Sequence, residues 1–574
     1  MIKELVEKDK ISKYLRSVLA SGVFLAVTLL PIRSMSFTVC IFSLSKEFMF
    51  LLFLFLLFCL LLRYDLSHRI VKRGNNTVDL FFNIIVDNAY VSVAILSLLS
   101  VAASFLIFQF IFEGIPHVQD AIAQLFQVKI FSLGKLYVEP HPLKEFFSFL
   151  HIIDKGNKWY SLYPPVFPFL VMLGYVLHTP GIVNPLLGGI TVLIVYKIGE
   201  VLFNRRVGII AAILLVFSPF FYFMNASMMV HPLSLLLTSS FFFLFILADK
   251  KDNYKYFSFS GITLGLLFSS RPYDAFLIGM PILVYLVFNS FKYRNWKNLT
   301  FFIFSFFPSA SIIFIYNYFT NGNIFNFGYY VWDPYYAKLG FILGHTPLRG
   351  LLFTLSRLRE LNYYLFILPV PSLIFILIAL IGRKIKENKY LLMMVFEIIT
   401  VFVGFSFYHY YEICYGPRLI YSTLVFIVII SALGIERISH NFYWKKTKAI
   451  IIGLLCFFYF RINLPLYLEY YKHSYWGVNR EVHEATKKNN IHNAVVFFNY
   501  HGARCIPHYK TREENLWGAA FMWNSPLLDS DVIFARDLGE HNKDLMNFYP
   551  HREFYICYYD CFIKKFVFRR IQRG

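Results

Sequence analysis

Long apolar runs, separated by short polar turns, set the pattern of this chain. By length they predict about thirteen membrane spans, since a helix needs roughly 20 apolar residues to cross the hydrocarbon layer. The runs are Ser17–Ile32, Phe48–Leu62, Ala89–Phe112, Gly181–Phe203, Val207–Phe223, Ser227–Ala248, Phe257–Ser270, Tyr273–Phe288, Leu299–Phe319, Tyr363–Ile381, Leu391–Tyr408, Leu419–Ile435 and Ala449–Tyr459. A further run, Tyr163 to His178, is shorter and opens with three prolines, so it reads as an interfacial helix. After about Arg461 the pattern changes. "NAVVFFNY", "DVIFARDLG" and "REFYICYYD" are strand-like runs between polar turns. The expected fold is a polytopic α-helical membrane protein with a small C-terminal extracytoplasmic α/β or α+β domain. Three parts are expected: residues 1–88, an extension with two spans; 89–463, the main membrane domain; and 464–574, the small C-terminal domain.

Composition agrees with this class. Of 574 residues, 57% are hydrophobic, 20% aromatic and only 16% charged, against about 25% charged in a soluble domain. The net charge of +21 would suggest nucleic acid in a soluble chain. Here the basic residues sit in short loops, "RYDLSHRIVKR", "NRR", "DKKDNYKY", "KYRNWK", "GRKIKENK" and "ERISHNFYWKKTK", which fall on one side of the predicted spans together with the basic N-terminus. The positive-inside rule makes that side cytoplasmic and removes the case for nucleic acid. The start is too long and too charged for a signal peptide and lacks a small-residue cleavage site, so no removal is expected.

The opposite side then carries the loop Gly114–Pro180, the loop Thr320–Asn362, the turn "HYYEICYGPR" and the C-terminal part. The seven cysteines lack metal spacing; Cys505, Cys557 and Cys561 allow one disulfide, with free or buried thiols the favoured reading. No DxD-like pair stands near Asp120 and no His/Glu cluster is apparent, so neither metal nor cofactor is expected. Sequons at Asn75, Asn225 and Asn298 read as chance, because two fall on the inner side.

Asp120 stands where a span leaves the membrane on the outer side. Composition alone reads it as a helix cap or solvated charge; chemistry offers a general base for an acceptor hydroxyl. Its surroundings, "EGIPHVQDAIAQLFQVKIFSLGKLY", "KWYSLYPPVFPFLVMLGYVL" and "GIVNPLLGGITVLIVYKIGEVLFNRRVGIIAAILLVFSPFF", with "MNASMMVHP", "SSRPYDAFLIGMP" and "YGPRLIYS" further on, resemble the C-superfamily of bacterial membrane glycosyltransferases. That group is related to the dolichyl-phosphate-mannose protein mannosyltransferases and the lipid A aminoarabinose transferase. The resemblance runs over about Ala89 to Ile435, with an echo in "DVIFARDLG". It implies a cytoplasmic-membrane enzyme with its site on the outer face. A sugar moves from a polyprenyl-phosphate carrier, the donor substrate, to a glycan, lipid or protein acceptor, with inversion at the anomeric carbon.

Asp120 matches the family's catalytic acid, although Ala121 replaces the second carboxylate of the protein mannosyltransferases. Glu113, seven residues upstream, would share a face with Asp120 on a continuous helix, which Pro116 puts in question. Arg418 is the first candidate for the donor phosphate; Arg271, with Asp274 as a possible partner, and His231 are the next. Tyr163, with Trp159 and Tyr160, can wall a sugar or anchor the interface. Tyr329, Tyr330, Trp332, Tyr335 and Tyr336 are similarly ambiguous. Lys338, Arg349, Arg357 and Arg359 break the charge rule and suggest a lid near anionic lipid. A transporter or flippase of lipid-linked sugars, and a catalytically silent relative that binds them, are the rival readings; a transporter is expected to carry inverted repeats or mid-membrane charges.

Overall fold

The computed structural model describes residues 68–572, apart from 336, 343, 367, 369–370, 382–387, 412, 441, 473–474 and 501–512. The first two predicted spans, Tyr336 and Cys505 lie outside the described residues. Within them, eight helices are long and apolar enough to cross a membrane, or nine if one bent pair counts as a single span. That is fewer than the sequence pattern suggests, and each shortfall has a local cause.

The run Val207–Phe223 forms α1 (Arg205–Val216) and α2 (Pro219–Ala226), bent by 56°. Ser218 stands as the cap of α2 and Pro219 as its first residue, where proline's missing N–H costs nothing. Phe257–Ser270 lies on a helix of 15 residues, Tyr254–Phe268, too short for a full crossing. It packs along the helix Lys297–Asn321, where Gly261 and Gly265 let the backbones meet. A Cβ at Gly261 would lie 2.3 Å from the Phe302 carbonyl oxygen, the small-xxx-small contact of membrane helices. Tyr363–Ile381 is not one span. Its first residues end the helix Pro347–Tyr364, and a seven-residue helix, Ile374–Leu380, follows Pro369 and Pro371. The last run extends past Tyr459 through a π turn, Tyr459–Asn463, into the helix Leu464–Lys472. Tyr163–His178 contains the short apolar helix Val166–Val176.

The spans run between two chemically distinct ends. At one end Asp249, Lys389, Tyr285 and Tyr390 join three helices, and Asn298 donates to Asp252 at 2.7 Å. At the other end α3 (His231–Lys251), α4 (Pro272–Tyr293) and the segment Arg418–Ser439 begin. Helices of 21 and 22 residues separate these ends by about 30 Å.

The C-terminal part contains a four-stranded sheet in the order β4-β3-β5-β6, with β3 (Ala494–Asn499), β4 (Val532–Arg536), β5 (Glu553–Asp560) and β6 (Lys565–Ile571). β3 pairs in parallel with β4 and β5, and β5 pairs antiparallel with β6. The first five residues of β3 are buried, as expected of a central strand covered on both faces. β6 lies outside the strand-like runs read from sequence. The unit's core is not its own. Val495, Phe497, Trp517 and Phe534 share one buried cluster with Ile122, Phe126, Phe147 and Trp159 of the loop Gly114–Pro180. Tyr471 and Tyr475 instead belong to the membrane-domain cluster, and the second cluster picks up the chain at Val478.

Candidate active site

The span Ala89–Ile111 ends in a π turn, and the chain then leaves helical geometry. Glu113 and Gly114 both have positive φ, 53° and 69°. His117 is buried and pinned, its ring nitrogens lying 2.9 Å from the Phe112 carbonyl and 3.3 Å from that of Tyr475. The helix α5 (Gln119–Ser132) starts only after this turn, so Glu113 and Asp120 share no helical face. The Glu113 carboxylate accepts from the Arg480 backbone N–H at 2.9 Å, and the Arg480 guanidinium donates to the Glu113 carbonyl at 3.2 Å. Glu113 therefore ties the turn to the C-terminal part and stands apart from Asp120.

Asp120 lies in the first turn of α5, where the helix dipole favours an anion. Tyr163 donates its hydroxyl to one carboxylate oxygen at 2.5 Å, and Arg418 Nη1 lies 3.3 Å from the other. Both ends of the ion pair are shielded, with side-chain exposures of 16% and 6%. Burial alone would raise the Asp120 carboxyl. The charges of Arg418 and His151 and the hydrogen bonds from Tyr163 and Arg418 outweigh it and hold the group at about 2. Asp120 is thus ionised throughout the neutral range.

Arg418 opens the 3-10 turn that leads into its span. Arg271 stands just before α4 and pairs with Asp274 at 3.1 Å; its Nη1 is buried and has no hydrogen-bond partner. His231 is the first residue of α3, is buried, and has an unpartnered Nδ1. It lies close enough to feel the charges of both Arg271 and Arg418. Five of the six sequence candidates thus occupy one neighbourhood: Asp120, Arg418 and Tyr163 in direct contact, Arg271 and His231 beside them. Trp159 and Tyr160 are buried in the shared core instead.

Two further residues join this neighbourhood: His151, which is not read from the sequence, and Tyr329, which is ambiguous there. His151 Nδ1 lies 3.3 Å from the Tyr163 hydroxyl. It precedes a hairpin of β1 (Ile152–Lys155) and β2 (Lys158–Ser161), whose Gly156 and Asn157 both have φ of 60°. That glycine-asparagine pair is the signal for a two-residue hairpin turn. Tyr329, on the short helix α6 (Gly328–Trp332), sets its ring edge-on to Tyr163 with centroids 5.8 Å apart. Burial drives its hydroxyl pKa up, and it feels Arg271, Tyr408, Asp120 and Arg418 at once. Arg357 serves the scaffold: it is buried, donates to the Phe405 carbonyl at 2.9 Å and lies over the Tyr411 ring.

Among the described residues, no three His, Cys, Asp or Glu side chains gather closely enough to hold a metal ion. Cys414, Cys456 and Cys557 are free, but Cys561 is disulfide-bonded, which corrects the favoured reading of thiols alone.

Fold and composition make this a multi-pass membrane protein. It resembles the C-superfamily glycosyltransferases, and residues 163–315 match the family model of the dolichyl-phosphate-mannose-protein mannosyltransferases. Among solved structures it is similar to ArnT from Cupriavidus metallidurans bound to undecaprenyl phosphate, with 12% identity and a TM-score of 0.46 over 74% of this chain and 69% of that one. It is also similar to the Archaeoglobus fulgidus oligosaccharyltransferase in the apo form, with 14% identity and a TM-score of 0.48 over 81% and 69%. AglB from the same organism, in complex with an inhibitory peptide and a dolichol-phosphate, gives 13% identity and 0.46 over 85% and 75%. No curated protein matches the chain.

Proposed function

We propose that this chain is a membrane glycosyltransferase that moves a sugar from a polyprenyl-phosphate carrier to an acceptor hydroxyl on the extracytoplasmic face of the cytoplasmic membrane. The observation that carries the reading is the shielded Asp120, held between the Tyr163 hydroxyl and the Arg418 guanidinium, with Arg271 and His231 alongside. In the proposed step the acceptor oxygen attacks the anomeric carbon from the face opposite the phosphate. Asp120 takes the hydroxyl proton as the new C–O bond forms. The bond to phosphate breaks, its electron pair stays on the phosphate oxygen, and Arg418 and Arg271 stabilise that charge. Inversion follows from the single displacement.

A carboxylate at about 2 is a weak base, so the ion pair has a role in timing. When a donor phosphate draws Arg418 to itself, the attraction that depresses Asp120 is shared and its basicity rises. The base becomes competent as the leaving group is engaged. Two features support the outer side. The basic turns gather at the far end of the spans. The disulfide-bonded Cys561 belongs to the unit that shares its core with the Asp120 helix, and disulfides persist in oxidising compartments.

The test is transfer of label from a radiolabelled polyprenyl-phosphate sugar by the purified full chain in nanodiscs. Wild type is expected to yield labelled acceptor, and Asp120→Asn to lose about a thousandfold in rate while still binding the lipid. Full activity in Asp120→Asn sinks the base assignment. Movement of labelled lipid between leaflets without transfer instead identifies a transporter.

A further inference from the structure

Next to the Asp120 neighbourhood lies a cavity of about 250 Å³, and the mechanism above makes no use of it. It is lined by the apolar Phe149, Ile152 and Ile153, by Ser148, Asp154 and Lys155, and by Trp332 with an edge of the core residue Trp159. The volume lies just below the range of drug-sized ligands, about 300–1,000 Å³, so it suits a single ring. An aromatic side chain, Trp332, and apolar groups beside a few hydrogen-bonding ones match the two sides of a pyranose, whose C–H faces are apolar and whose rim is hydroxyl.

The cavity is coupled to the candidate base through short contacts. The Trp332 ring packs edge-on to His151 at 5.1 Å, His151 lies 3.3 Å from the Tyr163 hydroxyl, and Tyr163 holds Asp120 at 2.5 Å. The helix α6 makes the connection geometric. Tyr329 and Trp332 are three residues apart and so lie on neighbouring positions of one helical face. The first meets Tyr163 and the second walls the cavity. Gly328 fixes α6 against the loop: a Cβ there would lie 2.2 Å from the Leu162 carbonyl oxygen.

The rim chemistry also favours a neutral polyol. Asp154 is 35% exposed and has one long contact, 3.7 Å from Lys144 Nζ, so its carboxylate keeps acceptor capacity for hydroxyls. Ser148 is held from the far side, its carbonyl accepting from Trp517 Nε1 at 2.9 Å and its hydroxyl from Arg536 at 3.0 Å. The C-terminal unit thereby fixes one edge of the cavity. We propose that this cavity is the acceptor subsite, and that it takes a pyranose unit of a glycan acceptor whose reacting hydroxyl extends past His151 to Asp120. The inference rests on the transferase reading, because only that reading requires an acceptor there.

The experiment uses the full chain in nanodiscs and two independent probes. Methyl gluco-, galacto- and mannopyranosides and a serine-containing peptide are screened by saturation-transfer NMR. Undecaprenyl phosphate is followed by native mass spectrometry in the same samples. Ring protons of at least one glycoside are expected to receive saturation. Its affinity should fall about tenfold in Trp332→Ala and several-fold in Asp154→Asn, which sits at the rim and disturbs packing least. Lipid-phosphate binding should be unchanged in both variants. The inference is overturned if the lipid phosphate binds but no glycoside does, if both variants bind the glycoside like wild type, or if only the peptide gives a Trp332-dependent signal. Failure of wild type to bind the lipid phosphate removes the transferase reading and this inference with it.

Discussion

Among the described residues, an aspartate, a tyrosine and a cation are held together at each end of the bundle. Asp249 accepts from Tyr285 at 2.9 Å and Tyr390 at 2.6 Å, and Lys389 lies 2.6 Å away. Asp120 has Tyr163 and Arg418. The difference lies in what surrounds each pair. Asp249 joins the ends of three helices, and its lysine is half exposed, so water screens the charge. Asp120 faces an arginine of only 6% exposure, with the unpartnered nitrogens of Arg271 and His231 and a cavity close by. The Asp249 cluster is closed on itself. The Asp120 cluster holds unpartnered nitrogens in reserve for an anion, which sets a candidate site apart from a structural latch made of the same side-chain types.

The largest expected effect comes from treating the two acids alike. Asp120→Asn should lose about a thousandfold in transfer rate, whereas Asp249→Asn should stay within about twofold and lose roughly 1 kcal/mol of stability. Equal activity losses in the two variants would erase the distinction. Arg418→Lys keeps the charge but not the two-point geometry, and should lower the rate about a hundredfold with weaker lipid-phosphate binding. Tyr163→Phe removes one hydrogen bond to a carboxylate and should lose about tenfold, measured as initial rate at saturating donor. A separate effect, read on stability and not on rate, follows from the same ion pair. Asp120 is depressed from 3.8 to about 2, so its contribution is fully present above about pH 4 and is lost as the pH falls through 2. The stability gap between wild type and Asp120→Asn should therefore shrink by roughly 2 kcal/mol between pH 4 and pH 2. A gap that is constant with pH counts against the ion pair.

Much of the membrane architecture is legible from length and apolarity, because backbone satisfaction in lipid leaves the chain few options. Ala89–Phe112 and Leu299–Phe319 reappear nearly residue for residue. Tyr363–Ile381 does not: the helix Pro347–Tyr364 ends at its start and Ile374–Leu380 begins anew after Pro371, in a run whose hydropathy alone suggests continuity. At the candidate site, Asp120, Arg418 and Arg271 are legible because charges at span ends are few and each calls for an explanation. Glu113 misleads, since spacing says nothing of the positive-φ turn that swings it to Arg480. His151 is hidden and Tyr329 stays ambiguous for another reason: their neighbour Tyr163 lies 12 and 166 residues from them along the chain and not in any local motif. The hairpin that positions His151 has a readable turn at Gly156-Asn157, but its partner in space has none.

Gln119, the residue before Asp120, donates to Asn515 at 2.6 Å, and Lys129 at the far end of the same helix donates to the carbonyls of Met522 and Asn524. These bonds span nearly 400 positions. During synthesis the helix emerges long before its anchors do, so its setting is completed only after the tail has been made and has folded back. A truncated or stalled nascent chain would carry Asp120 without the scaffold that orients it, which confines that arrangement to finished molecules.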